Sequence, residues 1–178
     1  SVDRTLEEVI KDSRRHVKEL IDRLEKVIKE SEENVKRTVD DNERSLKEIA
    51  DTVRREIKGR EILEEIKRVL DDNRRAVEEL EKEAREVHRD VREKLKRILE
   101  ELKRADDETE RRLRERTDDS EDIKRLIDTN RKINRDVAET IKEIIKEVRK
   151  INKEIDDKAR ELNKESRRVL EEVVRAER

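Results

Sequence analysis

The sequence predicts an all-α protein, an antiparallel up-down-up bundle of three long, nearly straight helices. Three observations predict it. Apolar residues recur at steps of three and four along the chain, as one face of a helix requires. Much of that pattern repeats every 18 residues, five turns at 3.6 residues each, whereas a heptad would force left-handed supercoiling. The 178 residues contain no Pro and a single Gly, which leaves almost nothing to build the turns of a strand-rich fold.

Composition alone would also fit a disordered chain, because 57% of the residues are charged and only 30% apolar. It would fit a lone solvated helix held by i,i+4 ion pairs as well. Both alternatives predict apolar residues without long-range phase, and the phase here is strict. Lys and Arg number 50 against 52 Asp and Glu, a net charge of -2, so no global field draws the chain to nucleic acid or to an anionic membrane. Without Cys there is no disulfide framework and no thiolate metal site. No apolar run approaches the ~18 residues of a membrane span, and no signal-peptide core is visible. The expectation is a soluble protein, compatible with cytoplasmic expression, whose compartment the residues do not specify.

Helix 1, about residues 2–58, carries a spine through Val2, Leu6, Val9, Ser13, His16, Leu20, Leu24, Val27, Ser31, Asn34, Thr38, Asn42, Ser45, Ile49 and Thr52. A second stripe beside it holds the repeat: Ile10 maps to Ile28 and Leu46, Val17 to Val35 and Val53, Ile21 to Val39 and Ile57. The two stripes cover roughly three positions in seven, the width of a helix touching two neighbours. Gly59 ends the helix, since Gly just past a helix terminus is the expected cap. Continuing the stripes past it would bury Glu64, Lys67, Asp71, Arg75 and Arg89.

Helix 2, about 60–116, turns a rotated face inward through Ile62, Ile66, Val69, Val77, Leu80, Val87 and Val91. The stretch Arg116–Asp122 reads as the second turn. Basic Arg111, Arg112 and Arg114 suit the end of one helix and the acids that follow suit the start of the next. Asp118 and Glu121 have capping-box spacing. Helix 3, about 119–177, resumes the repeat with Ile123, Ile141 and Ala159, and with Val137, Ile155 and Val173. Each helix spans about 85 Å at 1.5 Å per residue, and residues 1–178 form a single elongated three-helix domain. The acidic pairs Asp40-Asp41 and Asp71-Asp72 read as solvent-facing helix, while Asp106-Asp107 resembles a further turn.

Polar residues sit on the inward faces, where an unpaired group costs ~1–3 kcal/mol. With turns centred near 59 and 118, residue x of helix 1 faces 118 − x of helix 2 and 118 + x of helix 3. This rule gathers the polar residues at three heights. His16 falls opposite Asn134, with Ser13, Asn130 and Thr109 adjacent. Ser31 and Asn34 fall near His88 and Asn152. Ser45 falls opposite Asn73 and Asn163, with Asn42 and Ser166 one turn away. They read as buried hydrogen-bond networks that fix register by penalising any slipped arrangement.

His16 and His88 are the residues with latent chemistry, as metal ligands or general bases. The rule separates them by ~21 Å along the axis, too far to share an ion. Ser13 and Arg85 stand three residues before them, so the Glu-x-x-His pattern of di-iron bundles is absent. Both read as core histidines. If both are neutral and desolvated, their stabilising effect is present above the unfolded value near ~6.5 and declines as pH falls. The Arg pairs Arg14-Arg15, Arg54-Arg55, Arg74-Arg75 and Arg167-Arg168 are interleaved with acids, and no aromatic platform exists for stacking bases.

Taken across the whole chain, the Ile/Leu/Val layers, Ser/Asn/His/Thr layers, Glu/Lys/Arg/Asp surface and minimal loops resemble a computationally designed helical bundle with buried hydrogen-bond networks and an untwisted 18-residue repeat. Spectrin-type three-helix repeats share the architecture but carry core aromatics, and this chain has none. The resemblance implies a structural scaffold with no natural biochemical function, no catalysis, no cofactor, no metal and no required partner, favouring a monomer. The alternative is an association module that pairs with copies of itself or offers a groove to a partner helix. Ala138, Ile145, Leu162, Leu170 and Val174 raise that alternative by widening the apolar face of helix 3.

Overall fold

Long runs of Glu, Lys, Arg, Leu and Ala are strong helix formers, and their apolar stripes need neighbours to cover them. The computed structural model describes residues 2–115 and 120–177, with side chains from Leu6 onward. They form helices α1 (Val2–Glu56), α2 (Arg60–Glu115) and α3 (Ser120–Glu177). The three helices pack against one another, and no strand occurs among the described residues. The protein is an all-α three-helix bundle.

The first break lies where the sequence places it, but Gly59 plays a different part. No glycine has a positive φ, so Gly59 is not the left-handed cap of α1. That helix closes with Ile57 N–H donating to the Val53 carbonyl at 3.0 Å. The Gly59 carbonyl instead accepts the first bond of α2, from Leu63 N–H at 3.0 Å, which makes Gly59 the N-cap of that helix. Gly is tolerated at an N-cap, and no Ser, Thr, Asp or Asn directly follows the break to take that place. A Cβ here would meet the end of the Glu177 side chain at 3.2 Å and Ile62 Cδ1 at 3.5 Å. With ordinary backbone angles and a flexible nearest neighbour, Gly59→Ser is expected to raise stability by about 0.5 kcal/mol, through a better cap and a stiffer unfolded chain. A lower denaturant midpoint would show that the site needs glycine.

Residues 116–119, including Asp118 of the expected capping box, lie outside the described residues, as does the side chain of Val2. Ser120, Glu121 and Asp122 are already helical, so α3 starts inside the stretch read as turn. Its first-turn acids Glu121 and Asp122 complement the positive end of the helix dipole. Asp106 and Asp107 are exposed and helical, so the third acidic pair is no turn.

The residues group into two compact units. The first comprises Ser1–Ile28 and Arg89–Val148, and it fully buries Val17, Leu24, Val91, Ile141 and Val148. The second comprises Lys29–His88 and Arg149–Arg178. It contains one aliphatic cluster of Leu46, Ile49, Val53, Ile57, Ile66 and Leu70, against which Leu170, Val173 and Val174 pack. Another gathers Val35, Ala84, Ile151 and Ile155. Without aromatics, the interior is built from many aliphatic increments of about 1.5–3 kcal/mol each.

Ion pairs at i,i+3 and i,i+4 cover the surface. One set joins Glu108 to Arg111 at 2.7 Å and to Arg112 at 3.0 Å. Hydrogen bonds from Arg111 and then Arg112 hold the Glu108 carboxyl below its ordinary value of 4.5. A depressed folded value stabilises above the unfolded value and loses that effect as pH falls through the folded one. Glu108→Gln should therefore lower the thermal midpoint slightly at neutral pH, and the gap should close in acid. A gap that widened on acidification would contradict the sign.

Candidate functional site

The features with the most chemistry are the polar side chains on the inward faces. In the first unit, Asn134 Nδ2 donates to Ser13 Oγ in a short hydrogen bond. Arg14 donates to Asn134 Oδ1 at 2.5 Å and to Asp106 Oδ1 at 2.7 Å. Beside them Asn130 Nδ2 donates to the Thr109 hydroxyl at 3.0 Å and to the Leu126 carbonyl at 2.9 Å. Thr109 lies 2.8 Å from the Ala105 carbonyl and 3.3 Å from Asn130 Oδ1. Its single proton serves the shorter contact.

His16 departs from expectation. It is exposed, and Ser13 and Arg14 make the contacts with Asn134 in its place. Val17, 1% exposed, takes the inward position next to it. An aliphatic neighbour one residue away gains more from burial than an imidazole that needs two partners.

The middle height holds the most extensive network, inside the second unit. Ser31 Oγ lies 2.8 Å from His88 Nε2 and 3.2 Å from Asn152 Oδ1. Asn34 Nδ2 donates to Asn152 Oδ1 and to Asp156 Oδ1, both at 2.9 Å. Thr38 Oγ1 donates to the same Asp156 oxygen at 3.0 Å. The network thus crosses from α2 through α1 to α3. Ser31 and His88 are buried, while Asn34, Thr38, Asn152 and Asp156 are half-buried.

Asp156 fixes the direction of every bond in this chain. A carboxylate only accepts, so Asn34 must present its amide nitrogen. That nitrogen then faces the oxygen of Asn152, and an oxygen there obliges Ser31 to donate to it. Ser31 has one proton, so the proton between Ser31 and His88 must come from His88 Nε2. The ring is thereby assigned its Nε2–H form by counting protons, without seeing them. Nitrogen chemical shifts of the labelled imidazole should show a protonated Nε2. An unprotonated Nε2 at neutral pH would break the sequence of forced choices.

The third height is less complete. Asn73 Nδ2 donates to Ser166 Oγ at 2.8 Å and to the Leu162 carbonyl at 3.1 Å. Asn42, Asn163 and Ser45 make no hydrogen bond through their side chains among the described residues, although Asn42 is 1% exposed.

The structure therefore brings Ser13 to Asn134, Asn130 to Thr109, Ser31 to His88, Asn34 to Asn152, and Asn73 to Ser166. No family model, curated protein or solved structure matches this chain. Among the described residues no group of three or more His, Asp or Glu side chains is arranged to hold a metal ion, and no helix is long and apolar enough to cross a membrane. Sequence reasoning missed Arg14, read as one of the surface Arg pairs, did not single out Asp156, and left Thr38 without a partner. A signal existed for each. Asp156 follows Asn152 by four residues and shares its face, and Arg14 adjoins Ser13.

Proposed function

We propose that this chain is a designed structural scaffold whose polar networks specify how its helices align, with no catalytic or ligand-binding role. The observation that carries the reading is the chain from His88 through Ser31, Asn152 and Asn34 to Asp156. Every bond in it has an assigned donor and acceptor, with Asn152 Oδ1 accepting from both Ser31 and Asn34, and it takes side chains from all three helices. Sliding any helix by a turn would replace mated groups with aliphatic ones and leave buried donors and acceptors unpaired, at ~1–3 kcal/mol each.

The polarity of that chain also argues against a serine nucleophile. A general base must accept the hydroxyl proton, whereas His88 Nε2 donates to Ser31, and Ser31 is 3% exposed. The association alternative loses its main support. Ala138 and Ile145 are buried, Leu170 and Val174 pack on the second unit's own aliphatic cluster, and Leu162 is half-buried. Leu99 is the large apolar residue left exposed among those described, at 43%, and a single exposed leucine is ordinary.

Replacing Ser31, Asn34, Thr38, His88, Asn152 and Asp156 together by aliphatic residues tests the reading. Aliphatic substitution of a complete buried polar set commonly preserves or raises stability, so the variant is expected to stay helical with an equal or higher midpoint. The unaltered protein should sediment as one 21.6 kDa species at all concentrations, while the variant should populate several. A variant that remains a single well-ordered monomer would remove the proposed purpose of the network, and self-association of the unaltered protein would favour the association module.

A further inference from the structure

The third polar height contains more acceptors than its own hydrogen bonds satisfy. It lies one turn from the cluster of Leu46 and Leu70, against which Leu170 packs. At the corresponding turn α1 carries Asn42, α2 carries Asn73, and α3 carries Asn163 and Ser166. Asn42 is 1% exposed, and neither its Oδ1 nor its Nδ2 has a hydrogen-bond partner among the described residues. Asn73 Oδ1 and Asn163 Oδ1 are likewise buried and unpartnered. Asn73 cannot relieve this by turning its amide over, because both hydrogens of its Nδ2 are engaged by Leu162 O and Ser166 Oγ. Four such atoms left unsatisfied would cost several kcal/mol at ~1–3 kcal/mol each, a large share of the ~5–15 kcal/mol by which a domain is stable.

Polar groups that face one another across more than a direct bond are commonly joined by water. We propose that Asn42, Asn73 and Asn163 bind a buried water molecule, which donates to two of the amide carbonyls and accepts from Asn42 Nδ2. Those three bonds are the number a buried water ordinarily makes. Asn42, Asn73, Asn163 and Ser166 are all uncharged, so a desolvated ion would go uncompensated there, whereas water is matched. Ser166 and the half-buried Ser45 place short side chains at this height, next to a cluster made of Leu, Ile and Val.

The test uses the full-length labelled protein. Nuclear and rotating-frame Overhauser spectra should show cross-peaks between a long-lived water and the side-chain amide protons of Asn42 and Asn73, with the sign expected of an internal molecule. In Asn42→Leu the water cross-peak at Asn73 should be lost. Absence of a bound-water signal at Asn42 in the unaltered protein would overturn the proposal, as would its persistence at Asn73 in Asn42→Leu. Should Asn42→Leu not fold, a crystal structure that resolves ordered solvent decides. Water within hydrogen-bond distance of Asn42 and one of the other two carbonyls supports the site; a direct Asn42–Asn73 or Asn42–Asn163 amide bond, or no density between them, refutes it.

Discussion

Ile155→Ala is expected to lower the unfolding free energy by about 2–5 kcal/mol, the range for removing a fully buried aliphatic side chain. Ile155 is 0% exposed and packs with Val35, Ala84 and Ile151. Val39, Leu80 and Val87 also pack against this group, and β-branched valines have little rotamer freedom to move into the space left behind. The cost therefore falls toward the cavity-bearing end of the range. Urea unfolding followed by far-ultraviolet circular dichroism measures it, with Leu99→Ala as the control. Leu99 is 43% exposed, and its truncation should change stability by no more than about 0.5 kcal/mol. Equal losses at the two positions would mean that the interior is not packed around Ile155 as described.

The second large effect concerns the Ser31–His88 pair. Ser31→Ala removes the acceptor for the buried His88 Nε2–H and the hydroxyl that donates to Asn152 Oδ1. A loss of about 1–3 kcal/mol is expected, because the groups left behind have been taken out of water. His88→Leu should cost a comparable amount by stripping Ser31 of its donor. The double variant should lose less than the sum, with a coupling of about 0.5–3 kcal/mol, since each change removes the partner that the other leaves stranded. Strict additivity would indicate that the two residues do not depend on each other.

Much of the architecture was legible in the sequence because helix periodicity and the scarcity of Gly and Pro act locally. The breaks near 59 and 118 also gave a register that the contacts follow closely. Asn34 meets Asn152 and Thr38 meets Asp156 at the residues the rule names, and Ser31 meets His88 one residue from its expected mate. The ends of the networks were not legible. Arg14 and Asp156 sit at the margin of their stripes, where a long or charged side chain can reach inward while its charge stays near water. Whether it does so depends on which neighbour offers a partner, and that is a three-dimensional fact. His16 shows the converse. A step of three from Ser13 suits the inward face, but so does the step of four to Val17, and packing chose the apolar residue. The role of Gly59 was hidden for a similar reason, since composition marks a break without saying which helix the residue serves.

The joint at Gly59 has a wider consequence. Its backbone takes no left-handed angle, so the joint does not draw on the conformational freedom that only glycine has. Other small helix-capping residues should make the same turn, which leaves this linker open to substitution.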